Sequence, residues 1–419
     1  MRDRTRKDLH PEARKALQRQ LEKDLKTCTL ERGEVVTEPP AYWGHEFATL
    51  VEKHLGDYVS LVTAWVMLTG HIGSLFTHIK ADDRPSGELL TLVSTERAQA
   101  LVSEIVDLFA ALPREYLFYL RIAPSQNAFP DAALSTEALV HHVTADDPLL
   151  QVKGRPSVSA DSEGGIFAGL FGSKAPFGEH SVLLQIRSYG YVRGSSDDSA
   201  AARAISIAKR AVFLGTVLGV FAHKRRFGPF GGVLTSDLWF KHHDAKEQDM
   251  MGCGLPHETS EYFGGFHFQG LPESVLLPRA LQALSLTMLQ NIMNGDDDDA
   301  DRSPIMAAAE WGFESHASKN QTTAFLQLCI ALEAVLGDDA DTERLTKSLA
   351  DRCAYLLGGT RSVREDIRKR FRTLYEHRSK LVHGRSMRLP KAAVESLQWG
   401  RSALNQVLRR EVQNYLQPS

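Results

Sequence analysis

Apolar residues recur at helical spacing in the first quarter of the chain. Between residues 46 and 80 the spacing predicts one long core helix, or two shorter ones broken near Gly70, with apolar positions at Phe47, Leu50, Val51, Leu55, Val59 and Val62. A second amphipathic pattern covers residues 96 to 112 and ends at Pro113. Residues 1 to 32 are densely charged, so we expect an exposed helix or a loosely ordered arm there.

Beyond Pro113 the pattern changes from helical to extended. Residues 115 to 123 and 180 to 194 are rich in aromatic and β-branched side chains, which predicts two strands. The Gly-, Ser- and Pro-rich stretch between them, residues 153 to 180, predicts a long loop. We therefore expect residues 33 to 270 to form an α+β region, although the sequence does not fix the size of its sheet.

A further helix is predicted after the second strand, in the sequence SDDSAAARAISIAKRAVFLGTVLGVF. Ser196 or Asp197 is its expected N-cap, because a serine or aspartate side chain accepts a hydrogen bond from the first turn and the helix dipole favours acids there. Glycine and proline then return between residues 252 and 272. This stretch is the expected connection between two domains.

From Val275 onward the pattern is helical throughout. Acidic or proline-containing breaks separate six predicted helices, at residues 275 to 293, 304 to 318, 320 to 336, 343 to 357, 363 to 383 and 391 to 415. The predicted fold is therefore a charged arm, an α+β N-terminal region and an all-α helical bundle at residues 275 to 419.

Composition places the chain among ordinary globular proteins. Of its 419 residues, 43% are apolar and 24% charged, which is typical of soluble domains. The N-terminus lacks the apolar core of a signal peptide, and no later stretch approaches about 18 uninterrupted apolar residues. The four cysteines, Cys28, Cys253, Cys329 and Cys353, are scattered without metal-ligand or redox spacing. We therefore expect a cytoplasmic protein with reduced thiols and no membrane contact.

Charge is concentrated near the C-terminus. Between Arg361 and Arg388 the chain has ten Lys or Arg residues against three acidic ones, although its net charge is -3. A basic surface on an acidic protein indicates a polyanionic partner. The alternative is a solvated helix face whose charges pair with nearby acids.

One of these basic residues lies in an apolar stripe. The helix predicted at 363 to 383 has apolar residues at Ile367, Phe371, Leu374 and Leu381, and Arg378 lies about 20° from Ile367 at 100° per residue. A permanently charged guanidinium on a buried face needs a carboxylate, carbonyls or a bound anion. Glu333, which flanks the stripe of the helix at 320 to 336, is the expected partner.

His383 follows Arg378 at the end of the same helix. Five residues separate them, which is roughly 140° of rotation and about 7.5 Å of rise, so one helix does not aim both side chains at one point. Two copies that meet across a two-fold axis can bring both together. The helix C-terminus, with Gly384 after it, favours protonated histidine and suits an acid–base group. The alternative is a capping histidine beside an exposed arginine.

Three motifs in this region resemble the HEPN superfamily, in particular its Apea-like branch. They are Ala-Leu-Glu ending at Glu333, Ala-Asp-Arg-Cys-Ala around Arg352, and LYEHRSKLVHG ending at Gly384. The resemblance covers residues 320 to 419, extended upstream to 275. It implies a helical domain that dimerises and, in many members, cleaves RNA without metal or cofactor through attack of the ribose 2′-OH on the adjacent phosphate.

The resemblance also implies roles for individual residues. His383 would be the acid–base group and Arg378 would stabilise charge on the phosphorane, with Glu333 and Arg352 as supporting residues. Ser379 stands where active members frequently have Asn, Asp or His, and Tyr375 would orient Arg378, stack on a base or simply pack. The expected RNA contacts are Arg368, Lys369, Arg370, Arg372, Lys380 and Arg385.

Two classes of function follow from this. The first is a dimeric endoribonuclease, restrained by the N-terminal region until an unknown trigger releases it, with a role in antiphage defence or stress. The second is a non-catalytic module that dimerises or binds RNA or a partner, in which Arg378 is a structural charge held by Glu333.

Four other motifs are interpreted as structural. His141–His142 and His242–Asp244 lack partners at ligand spacing, so we expect surface or hinge residues rather than a metal site. The run Asp296–Asp299 lacks the glycine and terminal glutamate of a calcium loop and is expected to be solvated. Residues 164 to 172 contain glycines but no nucleotide-binding fingerprint.

Overall fold

The computed structural model describes most of the chain as two compact units. The smaller unit consists of Met1–Tyr116, Ser188–Arg193 and Asp197–Ala202, and the larger of Leu117–Arg187, Gly194–Ser196 and Arg203–Ser419. This division differs from the predicted domains, because the sheet and the helical region share one unit. The described residues are 9–36, 43–56, 58–123, 129–155, 176–224, 235–243, 249–269, 279–296, 298–337, 345–383 and 389–417.

The smaller unit is a helical layer with a small sheet. Strand β1 pairs antiparallel with both β2 and β3. Its elements are α1 (Pro11–Leu25), β1 (Thr29–Glu31), β2 (Glu34–Val35), α2 (His45–Leu55), α3 (Leu61–Ser74), β3 (Gly87–Glu88), α4 (Leu89–Leu92) and α5 (Thr95–Ala110).

Helix α1 corrects the expectation of an exposed N-terminal arm. Ala13, Leu17, Leu21 and Leu25 recur every fourth residue and are buried, the last three in the core that also contains Phe47. The charged residues occupy the opposite face. High charge density and a buried face are compatible in one amphipathic helix, so composition alone was misleading here.

The predicted break near Gly70 is wrong. Helix α2 ends at Leu55 and α3 begins at Leu61, with the Ser60 side chain accepting a hydrogen bond from the Thr63 amide at 3.2 Å. Gly70 lies inside α3, where an added Cβ would approach the Arg193 guanidinium at 3.3 Å. This glycine therefore permits a close approach and does not stop the helix.

The larger unit contains a seven-stranded mixed sheet of order β5-β6-β8-β4-β10-β11-β7. Strand β11 is antiparallel to β10 and parallel to the edge strand β7. The two strands expected from the sequence are β4 and β8, and residues 156–175 of the predicted loop lie outside the described chain. The strands are β4 (Arg114–Ile122), β5 (Ala132–Ala133), β6 (Ala138–His142), β7 (Gly154–Arg155), β8 (Val182–Gly190), β10 (Leu238–His242) and β11 (Met250–Cys253).

Helix α6 (Ser199–Leu218) follows β8, as expected, but begins later than predicted. Its first turn contains no acid, because Asp197 and Asp198 precede it. The Asp198 carboxylate instead accepts a hydrogen bond from the Arg193 amide at 2.7 Å. Asp198 therefore organises the turn before the helix, and the predicted caps, Ser196 and Asp197, both lie ahead of it.

The glycine- and proline-rich stretch at 252 to 272 is part of the larger unit and not a connection between the two. It contains α7 (His257–Phe263) and β12 (Phe266–Phe268), which pairs antiparallel with β9 (Phe221–His223). Phe263 and Phe266 are fully buried, and the Phe263 ring lies 4.7 Å from that of Phe313. Several aromatic side chains in one stretch indicate a packed segment and not a flexible linker. The glycines and prolines between them obscured this signal in the sequence.

The C-terminal part of the chain is helical, as predicted. The observed helices are α8 (Arg279–Asn294), α9 (Arg302–Ala317), α10 (Gln321–Leu336), α11 (Leu345–Leu357), α12 (Arg361–Val382) and α13 (Lys391–Tyr415).

The acidic loop between α8 and α9 is organised by Arg302 and is not simply solvated. Arg302 is 4% exposed and donates hydrogen bonds to the carbonyls of Ile292, Met293 and Asp296, at 2.7, 3.0 and 3.3 Å. The Asp299 carboxylate accepts a hydrogen bond from the Tyr415 hydroxyl at 2.9 Å. These contacts satisfy the last carbonyls of α8, which have no partner within the helix.

Histidines 141 and 142 also differ from their predicted surface positions. His142 is 4% exposed. His141 is bound on both ring nitrogens, by Asp131 at 2.9 Å and by Asp147 at 2.5 Å. Burial lowers the pKa of His141, but the two carboxylates outweigh burial and raise it. Both ring nitrogens donate only in the protonated imidazole, which agrees with that direction.

All four cysteines are buried free thiols, as the sequence indicated. Burial raises the pKa of Cys28 and of Cys353 to about 12, and that of Cys329 still further. In the described parts of the chain, no helix is long and apolar enough to cross a membrane.

Replacing Arg302 with methionine should lower the free energy of unfolding by about 1 to 3 kcal/mol, because three carbonyls lose their donor. Denaturant titration followed by circular dichroism measures the change. Arg361→Met is the matched control, since that side chain is 94% exposed, and it should stay within about 0.5 kcal/mol of the wild type. Equal losses in the two variants would contradict the capping role.

His141 should make stability depend on pH. Its pKa is raised in the folded state, so its contribution is complete below the unfolded value of about 6.5 and disappears as the pH rises through the folded value. The stability difference between wild type and His141→Asn should therefore shrink as the pH rises above about 6.5. His54→Asn, which changes an exposed histidine, should show no such trend. A pH-independent difference for His141→Asn contradicts the assignment.

Candidate functional site

Helix α12 presents the residues that resemble a catalytic motif. Its first turn is capped by Thr360, whose hydroxyl accepts a hydrogen bond from the Val363 amide at 3.4 Å. Straight-chain basic residues fill its outer face and favour a long helix. The buried stripe consists of Ile367, Phe371, Leu374 and Tyr375, and Arg378 continues it one turn later.

Gly400 of α13 brings this stripe against α10. An added Cβ at this position would lie 2.6 Å from Leu328 of α10 and 2.7 Å from Leu374 of α12. Only a glycine lets three helices meet this closely without displacing a neighbour. The packing places Glu333, five residues beyond Leu328 on α10, beside Arg378.

The ion pair predicted between Arg378 and Glu333 is present. Arg378 Nη2 lies 3.2 Å from Glu333 Oε1, and the two side chains are 34% and 24% exposed. Glu333 Oε1 is buried, yet it has no hydrogen bond of acceptable alignment. The guanidinium is therefore held by charge at one point and not by a bidentate fork, which leaves donors for another acceptor.

Tyr375 packs beside this pair. It is 5% exposed and stacks on Phe371 with ring centroids 4.9 Å apart. Burial raises the pKa of Tyr375, and the Glu333 carboxylate raises it further. The hydroxyl thus stays protonated. Of the three roles considered for Tyr375, the geometry favours packing over base stacking, because the ring is inaccessible.

His383 lies at the exposed end of α12. Its amide donates to the Ser379 carbonyl at 3.0 Å, and both side chains are exposed. The contacts described within one chain do not join His383 to Arg378, while Gly384 and Arg385 lie outside the described residues. The neighbouring His377 is half-buried, and burial followed by the charge of Lys380 lowers its pKa.

Arg352 belongs to a separate group of contacts. Its guanidinium donates to the carbonyls of Leu336 and Gly337 and to the Glu411 carboxylate, each at 3.4 Å. Arg352 therefore caps the C-terminus of α10 and does not join Arg378. Sequence reasoning missed Glu411, although it occupies a stripe position of α13, three residues after Leu408. A charge within an apolar stripe was the signal that had identified Arg378.

A cavity of about 910 Å³ lies next to this group. Glu333, Arg352 and Glu411 line it, together with Asp301, Asn414 and Tyr415. Arg378, Tyr375 and His383 are not among its lining residues. Glu333 therefore both lines the cavity and pairs with Arg378.

The predicted RNA contacts divide into paired and unpaired cations. Arg368 is bound to Asp351 at 2.5 Å, and Arg370 to Asp366 at 2.8 Å. The exposed Lys369, Arg372 and Lys380 have no carboxylate partner within the described parts of the chain. The positive charge open to an anion is therefore smaller than the residue count indicated.

Neither metal chemistry nor known relatives narrow the function. Among the described residues, no group of three or more His, Cys, Asp or Glu side chains is arranged to hold a metal ion. No protein-family model matches the chain, and no curated protein or solved structure matches it either.

A double-mutant cycle tests the Arg378–Glu333 pair. Arg378→Met and Glu333→Gln should each destabilise the protein, because each leaves a partly buried charge alone, and the double variant should recover about 1 kcal/mol or more of their sum. The exposed pair Arg370–Asp366, changed to Met and Asn, is the control and should couple by no more than about 0.5 kcal/mol. Equal coupling in the two cycles would show that Arg378 is not held by a buried charge.

Proposed function

We propose that this protein is a metal-independent endoribonuclease of the HEPN type. Two copies of the helical region form its composite site, to which each contributes Arg378 and His383. The observation that carries this proposal is the condition of Arg378. Its permanent charge lies in an apolar stripe, is only a third exposed and has a single, poorly aligned carboxylate partner. Such a guanidinium has donors available for phosphate oxygens.

The residues account for the chemistry of transesterification. His383 accepts the proton of a ribose 2′-OH as its oxygen attacks the adjacent phosphorus, and Arg378 stabilises the charge on the phosphorane oxygens. The P–O5′ bond then breaks, and a protonated His383 from the second copy supplies the proton to the leaving oxygen. The products are a 2′,3′-cyclic phosphate and a 5′-OH, with protons balanced across the pair of histidines.

Dimerisation supplies what one chain lacks. His383 is exposed at the end of α12 and makes no described contact with Arg378 of its own chain. An isologous contact between two such ends would bring each histidine towards the arginine of the other copy. We further propose, on the resemblance alone, that the N-terminal region restrains this activity until a trigger releases it, with a role in antiphage defence or stress.

The ion pair of Arg378 with Glu333 also favours a second function. In a non-catalytic module that dimerises or binds RNA, the same pair would serve only to fix α12 against α10. The two functions predict different effects of His383. If the protein is a nuclease, removing the His383 side chain abolishes RNA cleavage. If it is a non-catalytic module, the same change barely alters the free energy of unfolding, because an exposed capping residue contributes little to stability.

The deciding experiment incubates the full-length protein with total RNA in EDTA. His383→Ala and Arg378→Ala should each lower the cleavage rate by at least about 100-fold, the usual contribution of a general acid or base. His54→Ala is the matched control, because it removes an exposed histidine from the last turn of α2, and it should cut like the wild type. The 5′ ends should accept phosphate from a kinase without prior phosphatase treatment.

Three results decide against the proposal. The first is wild-type protein that leaves RNA intact under every trigger tried. The second is cleavage that EDTA abolishes. The third is a His383→Ala variant as active as His54→Ala. Because His383 is exposed, its variant remains informative even where Arg378→Ala loses stability.

A further inference from the structure

An aromatic side chain stands exposed beside the basic helix. Tyr355 of α11 is 76% exposed, the largest fraction among the large apolar side chains of the described residues. The buried face of α11 lies elsewhere, at Leu349, Ala350, Cys353 and Ala354. Tyr355 therefore contributes little to the core, and its ring is open to a partner.

Arg364 of α12 holds its guanidinium over this ring, 5.3 Å from the centroid. Its Nε donates a hydrogen bond to the Gly358 carbonyl at 2.7 Å, which fixes the group at the end of α11. Within the described chain Arg364 has no carboxylate partner. The two side chains form a cation–π pair whose positive charge has no carboxylate partner among the described residues. Aromatic and guanidinium planes both accept a nucleobase by stacking.

This pair lies where α11 contacts α12, on the face of α12 that also contains His383. Asp351 contacts Arg368, and Tyr355 contacts Arg364, so residues four apart on one helix meet residues four apart on the other in reverse order. Helices α11 and α12 therefore run antiparallel here. At 100° per residue, Arg364, Arg368, Arg372, Ser379 and His383 fall within an arc of about 100° on α12.

The distances suit a single strand of RNA. From Arg364 to Ser379 the helix rises about 22 Å, which is about six nucleotides at the roughly 3.4 Å of a stacked strand. Along this path Arg364 and Arg372 offer open positive charge, while Asp351 neutralises Arg368. Arg364 and Arg372 are therefore the arginines of this path that can contact phosphate, with the ring of Tyr355 at one end.

We propose that Tyr355 and Arg364 form a base-stacking subsite for single-stranded RNA, several nucleotides from the bond that is cut. This inference deepens the proposed function and depends on it for the identity of the ligand, RNA. It does not depend on the RNA being cut. A duplex would not fit the subsite, because its bases are already stacked on one another. The substrate class that fits this subsite is therefore unpaired RNA.

Fluorescence anisotropy with a labelled single-stranded 12-nucleotide RNA tests this in the full-length His383→Ala protein, where nothing is cut. Adding Tyr355→Ala or Tyr355→Leu should raise Kd about tenfold, the usual loss for one stacked base. Tyr355→Phe keeps the π face and should stay within about twofold. The same RNA annealed to its complement should bind with one affinity to all four proteins.

The outcomes separate this inference from the nuclease itself. A wild-type enzyme that cuts RNA, together with Tyr355→Leu binding single strands as tightly as Tyr355→Phe, overturns the subsite and leaves the catalytic proposal standing. If Tyr355→Leu binds RNA about ten times more weakly but the wild-type protein never cuts RNA, the subsite is supported and the catalytic proposal is contradicted. Absence of measurable single-strand binding overturns the subsite.

Discussion

A permanent charge that is largely removed from water must be compensated, and the helical region compensates Arg302, Arg352 and Arg378 in different ways. Arg302 is satisfied by three carbonyls at the end of α8. Arg352 uses two carbonyls and Glu411 at longer range. Arg378 has only one buried carboxylate oxygen, without good alignment. Of the three, Arg378 therefore has the fewest described acceptors, which singles it out on physical grounds.

On the proposed function, the position of Arg378 would also let one site be both structural and catalytic. Its stem completes the packing of α12 against α10, where Gly400 allows close approach, and its head reaches partly into solvent. Catalytic groups work best on rigid elements that packing fixes. The same helix carries Arg364 of the proposed base-stacking pair near its other end, so recognition and chemistry would share one rigid support.

Much of the helical region was predictable, because its signals are local. Five of its six helices both begin and end within two residues of the prediction, since caps, glycines and prolines mark them along the chain. The Arg378–Glu333 pair followed from the angular position of a charge on a helix. Tyr355 could not be singled out from the sequence. A single aromatic residue outside an apolar stripe indicates a binding site only once the structure places Arg364 over its ring.

Other features could not be derived because they depend on distant partners. Gly70 resembles a helix breaker until Arg193 is found beside it, and the linker-like segment at 252 to 272 conceals aromatic residues that pack on Phe313. Strand order in the seven-stranded sheet depends on pairings between segments far apart in sequence, which periodicity does not encode.

The buried cysteines give this chain a set of internal reporters. Cys28 lies in the smaller unit, while Cys253, Cys329 and Cys353 lie on β11, α10 and α11 of the larger one. A buried thiol with a raised pKa reacts slowly until its surroundings open. The alkylation rate of each thiol therefore reports the free energy of local opening around that cysteine, without any engineered label.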